Sequence, residues 1–194
     1  HERIVTIEDA YELGLEHFAE RHPDYDALQS RSANIEGQGE ITLADLTRMA
    51  LRMDPDRVIV GEVRGAEAFP MLMAMSQGNN GSMCTMHADG ARTVFPKLAA
   101  YVSMASTGLP VETINVLVAS ALHFVIFVES HDGRRQVSSI CEVVDIDGNN
   151  IISNEVMNRS GRGVTRWPFP FRSSTREMLE DHGFRPNQLA VVRR

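Results

Sequence analysis

Hydrophobic residues occur along the chain in short blocks whose spacing predicts strands alternating with helices. Val58, Ile59 and Val60 form a β-branched run bounded by turn-forming residues, the pattern of a strand buried on both faces of a parallel sheet. Two further strands are expected at 3–7 and 82–87. Apolar residues that recur at intervals of three or four predict helices at 42–53, 66–77, 91–104, 110–121 and 174–182.

The pattern changes after residue 121. Strand-like alternation predicts β-strands at 122–129, 136–145 and 150–157. Their connectors both contain Asp-Gly, a hairpin signal, so these strands should be antiparallel. Residues 10–33 are polar and show no regular hydrophobic spacing, so they are expected to be irregular. Pro96 is expected to interrupt the helix predicted at 91–104. The predicted fold class is therefore α/β, a mostly parallel sheet flanked by helices, with antiparallel strands toward the C-terminus.

Composition and charge narrow the class of protein. Hydrophobic residues make up 43% of the chain and charged residues 23%, as in ordinary soluble domains. The formal net charge of −7 argues against a general nucleic-acid-binding protein. Cys84 and Cys141 lie far apart and form no metal-ligand spacing. The longest apolar stretch, 114–128, is shorter than the about 20 residues that span a bilayer, so a cytoplasmic protein is expected.

Polar residues follow three of the predicted parallel strands. Glu8 and Asp9 end the first, Glu62 follows the Val58–Val60 run, and His87 ends the third. Because parallel strands bring their carboxyl ends to one edge of a sheet, these side chains should meet there. Carboxylates beside a nucleotide's terminal phosphate can hold Mg²⁺ through water and orient an attacking water, and an imidazole can donate to a phosphate oxygen. The alternative is a solvated glutamate after an ordinary strand and a structural histidine.

A phosphate-cradling loop is missing from these 194 residues. Lys97 is the chain's one lysine, and it follows Val-Phe-Pro rather than a glycine-rich segment ending in Lys-Ser or Lys-Thr. The sequence also opens on a predicted strand without a methionine. We interpret the chain as a piece of a longer protein.

Three segments in order, 6–9, 46–68 and 78–88, resemble the boxes of the type II/IV secretion ATPases, closest to the tight-adherence (Flp-type) pilus branch. The resemblance covers roughly residues 3–157. It implies a RecA-like P-loop NTPase core that hydrolyses ATP with Mg²⁺ and assembles as a ring, usually a hexamer. It further implies a cytoplasmic location at the inner face of the cell membrane, and inner-membrane platform proteins of a secretion or pilus system as partners.

The resemblance also implies roles for residues that match the family boxes. Glu8 takes the aspartate-box position of a candidate general base, and Asp9 would support the nucleotide site. Glu62 takes the Walker B position and would hold Mg²⁺ through water. His87 takes the histidine-box position near the γ-phosphate. Glu8, Glu62 and His87 are thus the candidate catalytic residues.

Five further residues are weaker candidates. Thr85 and Arg64 flank the site and could contact the nucleotide; otherwise they are a strand threonine and a solvated or interface arginine. Arg48, Arg52 and Arg57 lie on or beside the helix before the Walker B strand. A ring ATPase needs cations that reach a neighbour's nucleotide, so these three could be interface arginines; the alternative is plain surface arginine.

The chain departs from the family pattern in two ways. The P-loop and an N-terminal domain would lie upstream of His1, so the chain alone is expected to bind ATP poorly and to be inactive. The histidine box contains Gly-Asn-Asn-Gly where the family more often has Gly-His-Asp-Gly, which places Asn79 where a second family histidine would be.

The resulting interpretation is the C-terminal half of a hexameric ATPase that powers pilus assembly or protein secretion. Residues 1–128 would be the C-terminal part of the RecA-like core, 129–157 an antiparallel extension, and 158–194 a tail with a short helix. The aromatic stretch 167–171 could face a partner or pack the tail onto the domain. Two other hypotheses remain: a non-catalytic scaffold of a secretion complex, and a DNA-translocating relative, which the acidic charge disfavours.

Overall fold

The computed structural model describes residues 1–159, 165–166 and 168–185. The chain divides into two compact units. The first contains His1–Ala88 and Phe95–Leu122, and the second contains Asp89–Val94 and His123–Arg194. The domain boundaries predicted from the sequence, after residues 128 and 157, stay predictions.

The first unit contains a parallel four-stranded sheet in the order β2-β1-β3-β4. Its strands are β1 (Ile4–Glu8), β2 (Tyr25–Gln29), β3 (Arg57–Val60) and β4 (Met83–Cys84). All five residues of β1 are buried, because it pairs with a strand on each side. The parallel sheet expected from the apolar runs is confirmed.

Four helices accompany this sheet, and their bounds are α1 (Leu43–Ala50), α2 (Ala68–Ser76), α3 (Val94–Met104) and α4 (Val111–Ala121). Each matches a predicted helix, with shorter ends. Helix α2 is apolar almost all round and packs against both α1 and α4. The core of the unit is formed by fully buried aliphatic side chains from strands and helices together, including Val5, Ile7, Val58, Val60, Leu72, Leu98, Ile114 and Val118.

Two expectations about this unit were wrong. Strand β2 lies in the region 10–33, which was expected to be irregular. Its sequence, Tyr-Asp-Ala-Leu-Gln, has no β-branched residue and stays half exposed at the sheet edge, so pairing with β1 makes it a strand. Pro96 does not interrupt α3: it lies in the helix's first turn, where a backbone N–H has no acceptor within the helix.

Strands β3 and β4 are shorter than their predicted spans. Strand β3 ends at Val60 and β4 at Cys84, so Glu62 and His87 lie in the loops that follow these strands. Two short 3₁₀ turns are also present: Leu15–Phe18 lies between β1 and β2, and Ala91–Thr93 belongs to the second unit. Glu62 and His87 are therefore carried by loops, whereas Glu8 is the last residue of β1.

The second unit is built on an antiparallel sheet, as predicted. Its strands are β5 (Phe124–His131), β6 (Arg134–Asp147), β7 (Asn150–Arg159) and β8 (Thr165–Arg166), paired in sequence order. The first hairpin turns at Asp132-Gly133, both with positive φ (50° and 73°), as a tight two-residue turn requires. Register shifts of the kind that β-bulges produce interrupt the pairing of β6 with β5 and with β7.

A C-terminal segment with helix α5 (Ser173–Asp181) is fixed to this sheet. Arg172 donates from its Nε to Oε1 of the fully buried Glu142, at 3.2 Å, and its backbone N–H donates to the same carboxylate. The Phe171 ring meets Phe124 and Phe184 edge-on, with centroids 5.9 Å and 5.7 Å apart. Phe171 thus packs the segment onto the sheet, while Trp167 of the predicted aromatic stretch lies outside the described residues.

Candidate functional site

The first part of the site is the junction between β1 and β3. Gly61 donates its backbone N–H to the Ile7 carbonyl at 2.8 Å. A Cβ at Gly61 would lie 3.1 Å from the Cγ of Glu8, so a glycine here lets the Glu8 side chain pass close to the neighbouring chain. Glu8 is buried, and its Oε1 accepts the backbone N–H groups of Glu12 (2.9 Å) and Leu13 (3.0 Å). Its carboxylate is therefore held in a defined position.

Arg64 links two of the candidate carboxylates. Its Nη2 donates to Oδ2 of Asp9, and its Nη1 lies 4.0 Å from Oε2 of Glu62. The other Asp9 oxygen, Oδ1, accepts the Ser30 hydroxyl at 2.6 Å. A residue that sequence reasoning ranked as a weaker candidate thus forms the connection between the loops after β1 and β3.

His87 approaches the same group from the loop after β4. Its Nε2 lies 3.4 Å from Oε1 of Glu62, and its side chain is 93% exposed. The Nζ of Lys97 donates to the backbone carbonyl of His87. The parallel sheet thus brings Asp9, Arg64, Glu62 and His87 into one line of charged contacts, which we call the rim cluster.

Thr85 contributes to the backbone of this region. Its hydroxyl donates to the Gly61 carbonyl at 2.5 Å, and its own carbonyl accepts the Val63 N–H at 2.8 Å. These two bonds connect the loops after β3 and β4. Its position beside the rim cluster agrees with the expected flanking position, and contact with a nucleotide stays a prediction.

The three candidate interface arginines lie apart from the rim cluster. Arg48 pairs with Asp45 one helical turn away, at 3.2 Å. Arg57 begins β3, at the opposite end of the strand from Glu62, and forms two 2.7 Å bonds with Glu2, which raise the pKa of its guanidinium. Among the described residues, the Arg52 side chain has no hydrogen bond or ion pair. A role across a subunit interface stays a prediction for all three.

The Gly-Asn-Asn-Gly segment lies before β4 rather than at the rim. The Nδ2 of Asn79 donates to the Pro55 carbonyl in the turn that precedes β3. A Cβ at Gly81, where φ is +87°, would lie 2.1 Å from Nη1 of Arg57, so the glycine leaves room for that guanidinium. The residue that replaces the family's second histidine therefore joins the two loops that lead into β3 and β4.

Sequence reasoning missed two residues that hold the site. Ser30 follows β2, the strand that was not predicted, and its hydroxyl bonds Asp9. Glu67 is buried, and its Oε1 accepts the N–H groups of Arg64 (2.5 Å) and Gly65 (2.8 Å). An acidic residue directly before an apolar helix suggests a cap of that helix, but the Glu67 side chain makes no such bond and instead accepts N–H groups of the two loop residues Arg64 and Gly65.

The chemistry of these side chains fits Mg²⁺ as nucleotide enzymes hold it. Among the described residues there is no group of three or more His, Cys, Asp or Glu that could enclose a metal ion. Mg²⁺ in nucleotide sites is held by one or two carboxylates together with water and phosphates. Glu62, at 37% side-chain exposure, offers one oxygen ligand of this kind. Burial raises the pKa of the nearby Cys84 thiol to about 12, so that side chain stays protonated and is a poor ligand.

The helices of the described residues include none with the length and apolarity that crossing a bilayer requires.

Comparisons with known proteins identify relatives of this chain. The family described as "Type II/IV secretion system protein" matches residues 1–161. A Mycobacterium tuberculosis protein named for conjugal transfer is 39% identical over 148 residues, which are 76% of this chain and 40% of that protein. The type IV secretion system protein VirB11 of Brucella suis is 34% identical over 145 residues, covering 72% of this chain and 39% of the relative.

A solved structure shows the same fold. The VirB11 ATPase from the Brucella suis type IV secretion system, in complex with sulphate, matches with a TM-score of 0.61 and 32% identity, over 73% of this chain and 41% of that one. The expected RecA-like fold is thereby confirmed. This chain spans about 40% of the length of the curated relatives that it matches. On the family match and these identities, the chain belongs to the type II/IV secretion system protein family.

Proposed function

We propose that a longer protein containing this chain hydrolyses ATP and uses the energy to drive pilus assembly or protein secretion. The observation that carries the proposal is the rim cluster, in which Glu62 lies within 3.4 Å of His87 and 4.0 Å of Arg64 beyond the ends of parallel strands. Ligands of open α/β sheets bind at this edge. The relative from Brucella suis whose structure matches is titled an ATPase of a type IV secretion system.

Each residue of the site has a place in this proposal. Glu8 would accept a proton from the attacking water, and Oε2 would be the atom that takes it, because Oε1 already accepts two backbone N–H groups. Asp9 would support the site by holding Arg64. His87, exposed and adjacent to Glu62, could donate a hydrogen bond to a γ-phosphate oxygen.

Glu62 would hold Mg²⁺ through water, as expected for the Walker B position. When bound, Mg²⁺ neutralises charge on the phosphates of the nucleotide. The Glu62 side chain is partly exposed and lies near the Arg64 guanidinium and the His87 imidazole, so its carboxylate is accessible to a hydrated ion. Thr85 and Arg64 would lie beside the phosphates.

The wider setting is also part of the proposal. The intact protein would work as a hexameric ring at the cytoplasmic face of the inner membrane, in contact with platform proteins, and within the tight-adherence (Flp-type) branch. Binding and loss of the γ-phosphate would move rigid parts of the ring. Arg48, Arg52 and Arg57 remain candidates for contacts with a neighbouring subunit, since none of them joins the rim cluster.

A non-catalytic scaffold is the second candidate, and one observation favours it for these 194 residues. Their one lysine, Lys97, is occupied by the His87 carbonyl and follows no glycine-rich loop. Without a lysine and backbone N–H groups to hold phosphates, this chain alone should not turn over ATP.

The test is phosphate release from the longer natural protein, purified as oligomer and as monomer, compared with the 194-residue chain. Turnover by the longer protein alone, and greatest in a hexameric fraction, is the expected result. Absence of turnover from both forms of the longer protein would support the scaffold instead.

A further inference from the structure

Glu67 is a buried carboxylate that no part of the proposed chemistry uses. It lies between β3 and α2, and the residue is 7% exposed. Burial of an ionised carboxylate is unfavourable unless strong hydrogen bonds replace its water. Here Oε1 accepts the backbone N–H groups of Arg64, at 2.5 Å, and of Gly65, at 2.8 Å. These two bonds satisfy the buried oxygen and attach the Glu67 side chain to the loop before α2.

The backbone around Arg64 is held from both sides. The Val63 N–H donates to the Thr85 carbonyl at 2.8 Å, and the Val63 side chain is 1% exposed. Glu67 accepts the next two N–H groups along the chain, those of Arg64 and Gly65. The direction in which Arg64 leaves the backbone is therefore set by two neighbours that are themselves buried or paired.

The Arg64 side chain has little packing of its own. Its side chain is 61% exposed, and the contacts that orient it are the carboxylates of Asp9 and Glu62. A long, exposed side chain loses much rotamer entropy when it is confined to one geometry. A fixed backbone lowers that cost, because the guanidinium then starts from a position that already reaches both carboxylates.

We propose that Glu67 is a positioning residue for the hydrolytic site: it fixes the Arg64 backbone so that the guanidinium joins Asp9 to Glu62. The inference rests on the proposed function, since it assigns to Glu67 an effect on ATP turnover. Glu67 would act through the backbone of Arg64 and Gly65, to which its carboxyl group is bonded.

The chemistry of the two N–H bonds predicts a rank order of variants in the longer natural protein. A glutamine oxygen can accept two N–H groups at the same distance, so Glu67→Gln should keep at least half of the turnover. An aspartate keeps the charge but is shorter by one methylene, so Glu67→Asp should lose turnover together with Glu67→Ala. The expected loss in kcat is on the order of tenfold, with KM for ATP changed less than kcat.

A double-mutant cycle separates positioning from general destabilisation. If Glu67 acts through Arg64, adding Glu67→Ala to Arg64→Ala should lower kcat by less than about twofold more. Arg172→Ala is the matched control, since it disrupts a buried ion pair in the other unit and should lower the melting temperature without lowering kcat below that temperature. Additive losses in the cycle, or Glu67→Asp at wild-type turnover with Glu67→Gln as inactive as Glu67→Ala, would overturn the inference.

A second readout does not depend on ATP. Amide hydrogen exchange at Arg64 and Gly65 should accelerate in Glu67→Ala and Glu67→Asp but stay near wild type in Glu67→Gln. Unchanged exchange in all three variants would refute the positioning role even if the protein hydrolyses ATP. A wild-type protein without turnover, combined with the expected exchange pattern, would instead reject the proposed function and leave Glu67 as a residue that holds this loop.

Discussion

Charged side chains in this protein differ sharply in burial, and burial decides what each pair contributes. The rim cluster is partly exposed, with side-chain exposures from 37% at Asp9 and Glu62 to 93% at His87. Screening by water makes such pairs weak stabilisers, so the rim cluster is poorly explained by stability alone. The pair Glu142–Arg172 is different, because the Glu142 side chain is completely buried.

That difference in burial predicts that replacing Arg172, directly before α5, lowers stability more than replacing Arg176, on α5. Arg172→Ala would leave the Glu142 carboxylate buried without its guanidinium and should lower the free energy of unfolding by about 3 kcal/mol. Arg176→Ala, the control, removes an exposed pair with Glu180 and should change it by less than about 0.5 kcal/mol. Urea denaturation of the 194-residue chain measures both. Equal effects would show that burial of Glu142 contributes little.

At the scale of elements, the hydrophobic pattern predicted the strands that are buried in the sheet. The strands β1 and β3 are apolar runs with neighbours on both sides, so their sequences alone indicate them. Strand β2 is half exposed and polar, and only pairing with β1 makes it a strand. Ser30, which follows β2 and bonds Asp9, could not be found for the same reason.

The candidate site shows the same limit. The topology of parallel strands indicated that Glu8, Asp9, Glu62 and His87 would share one edge, and the structure places them there. The bridge by Arg64 and the support from Glu67 depend on how the loop after β3 turns. The conformation of this loop is set by hydrogen bonds, and the spacing of hydrophobic residues in the sequence does not indicate which residues form them.

Helix α1 has a testable capping signal at Thr42, the residue directly before it. The Thr42 hydroxyl accepts the Asp45 N–H at 3.1 Å, and the Asp45 carboxylate accepts the Thr42 hydroxyl at 2.7 Å and its N–H at 3.1 Å. Replacing Thr42 with alanine should lower the free energy of unfolding by about 1 kcal/mol, while Thr42→Ser should lower it far less. Urea unfolding at neutral pH measures the difference, and equal losses for both variants would contradict the role of the hydroxyl.

The same cap predicts a dependence on pH. Hydrogen bonds from Thr42, first from its hydroxyl and then from its backbone, lower the pKa of Asp45 below its ordinary 3.8. A carboxyl with a lower pKa in the folded state stabilises the fold above pH 3.8, and this contribution is lost as the pH falls through the lowered pKa. The stability difference between wild type and Asp45→Asn should therefore be constant near neutral pH and shrink in acid. A difference that grows on acidification would contradict the cap.

At the scale of the whole molecule, the net charge of the chain makes nucleic acid an unfavourable binding partner. The formal net charge of −7 should repel the phosphates of nucleic acid. We expect the anisotropy of labelled duplex DNA to stay unchanged at about 10 μM of this chain in physiological salt, where non-specific DNA-binding proteins already associate. Binding whose affinity falls steeply and linearly with the logarithm of salt concentration would contradict this and revive the DNA-translocating hypothesis.

The family assignment and the proposed function concern different lengths of chain. The family is shown by the match over residues 1–161, whereas ATP turnover is proposed for a longer protein, since this chain spans about 40% of the length of its relatives. The rim cluster is the part of this chain on which the proposed hydrolysis depends, because its carboxylates, arginine and histidine lie at one edge of the sheet. Its direct test is the removal of one negative charge.

The central measurement is steady-state ATP hydrolysis by the longer natural protein and its Glu62→Gln variant, with nucleotide binding measured in parallel. Glu177→Gln, an exposed change on α5 in the other unit, is the control. We predict that Glu62→Gln lowers kcat at least about 100-fold while nucleotide affinity changes only a few-fold, and that Glu177→Gln matches wild type. Turnover by Glu62→Gln within threefold of wild type would contradict the account.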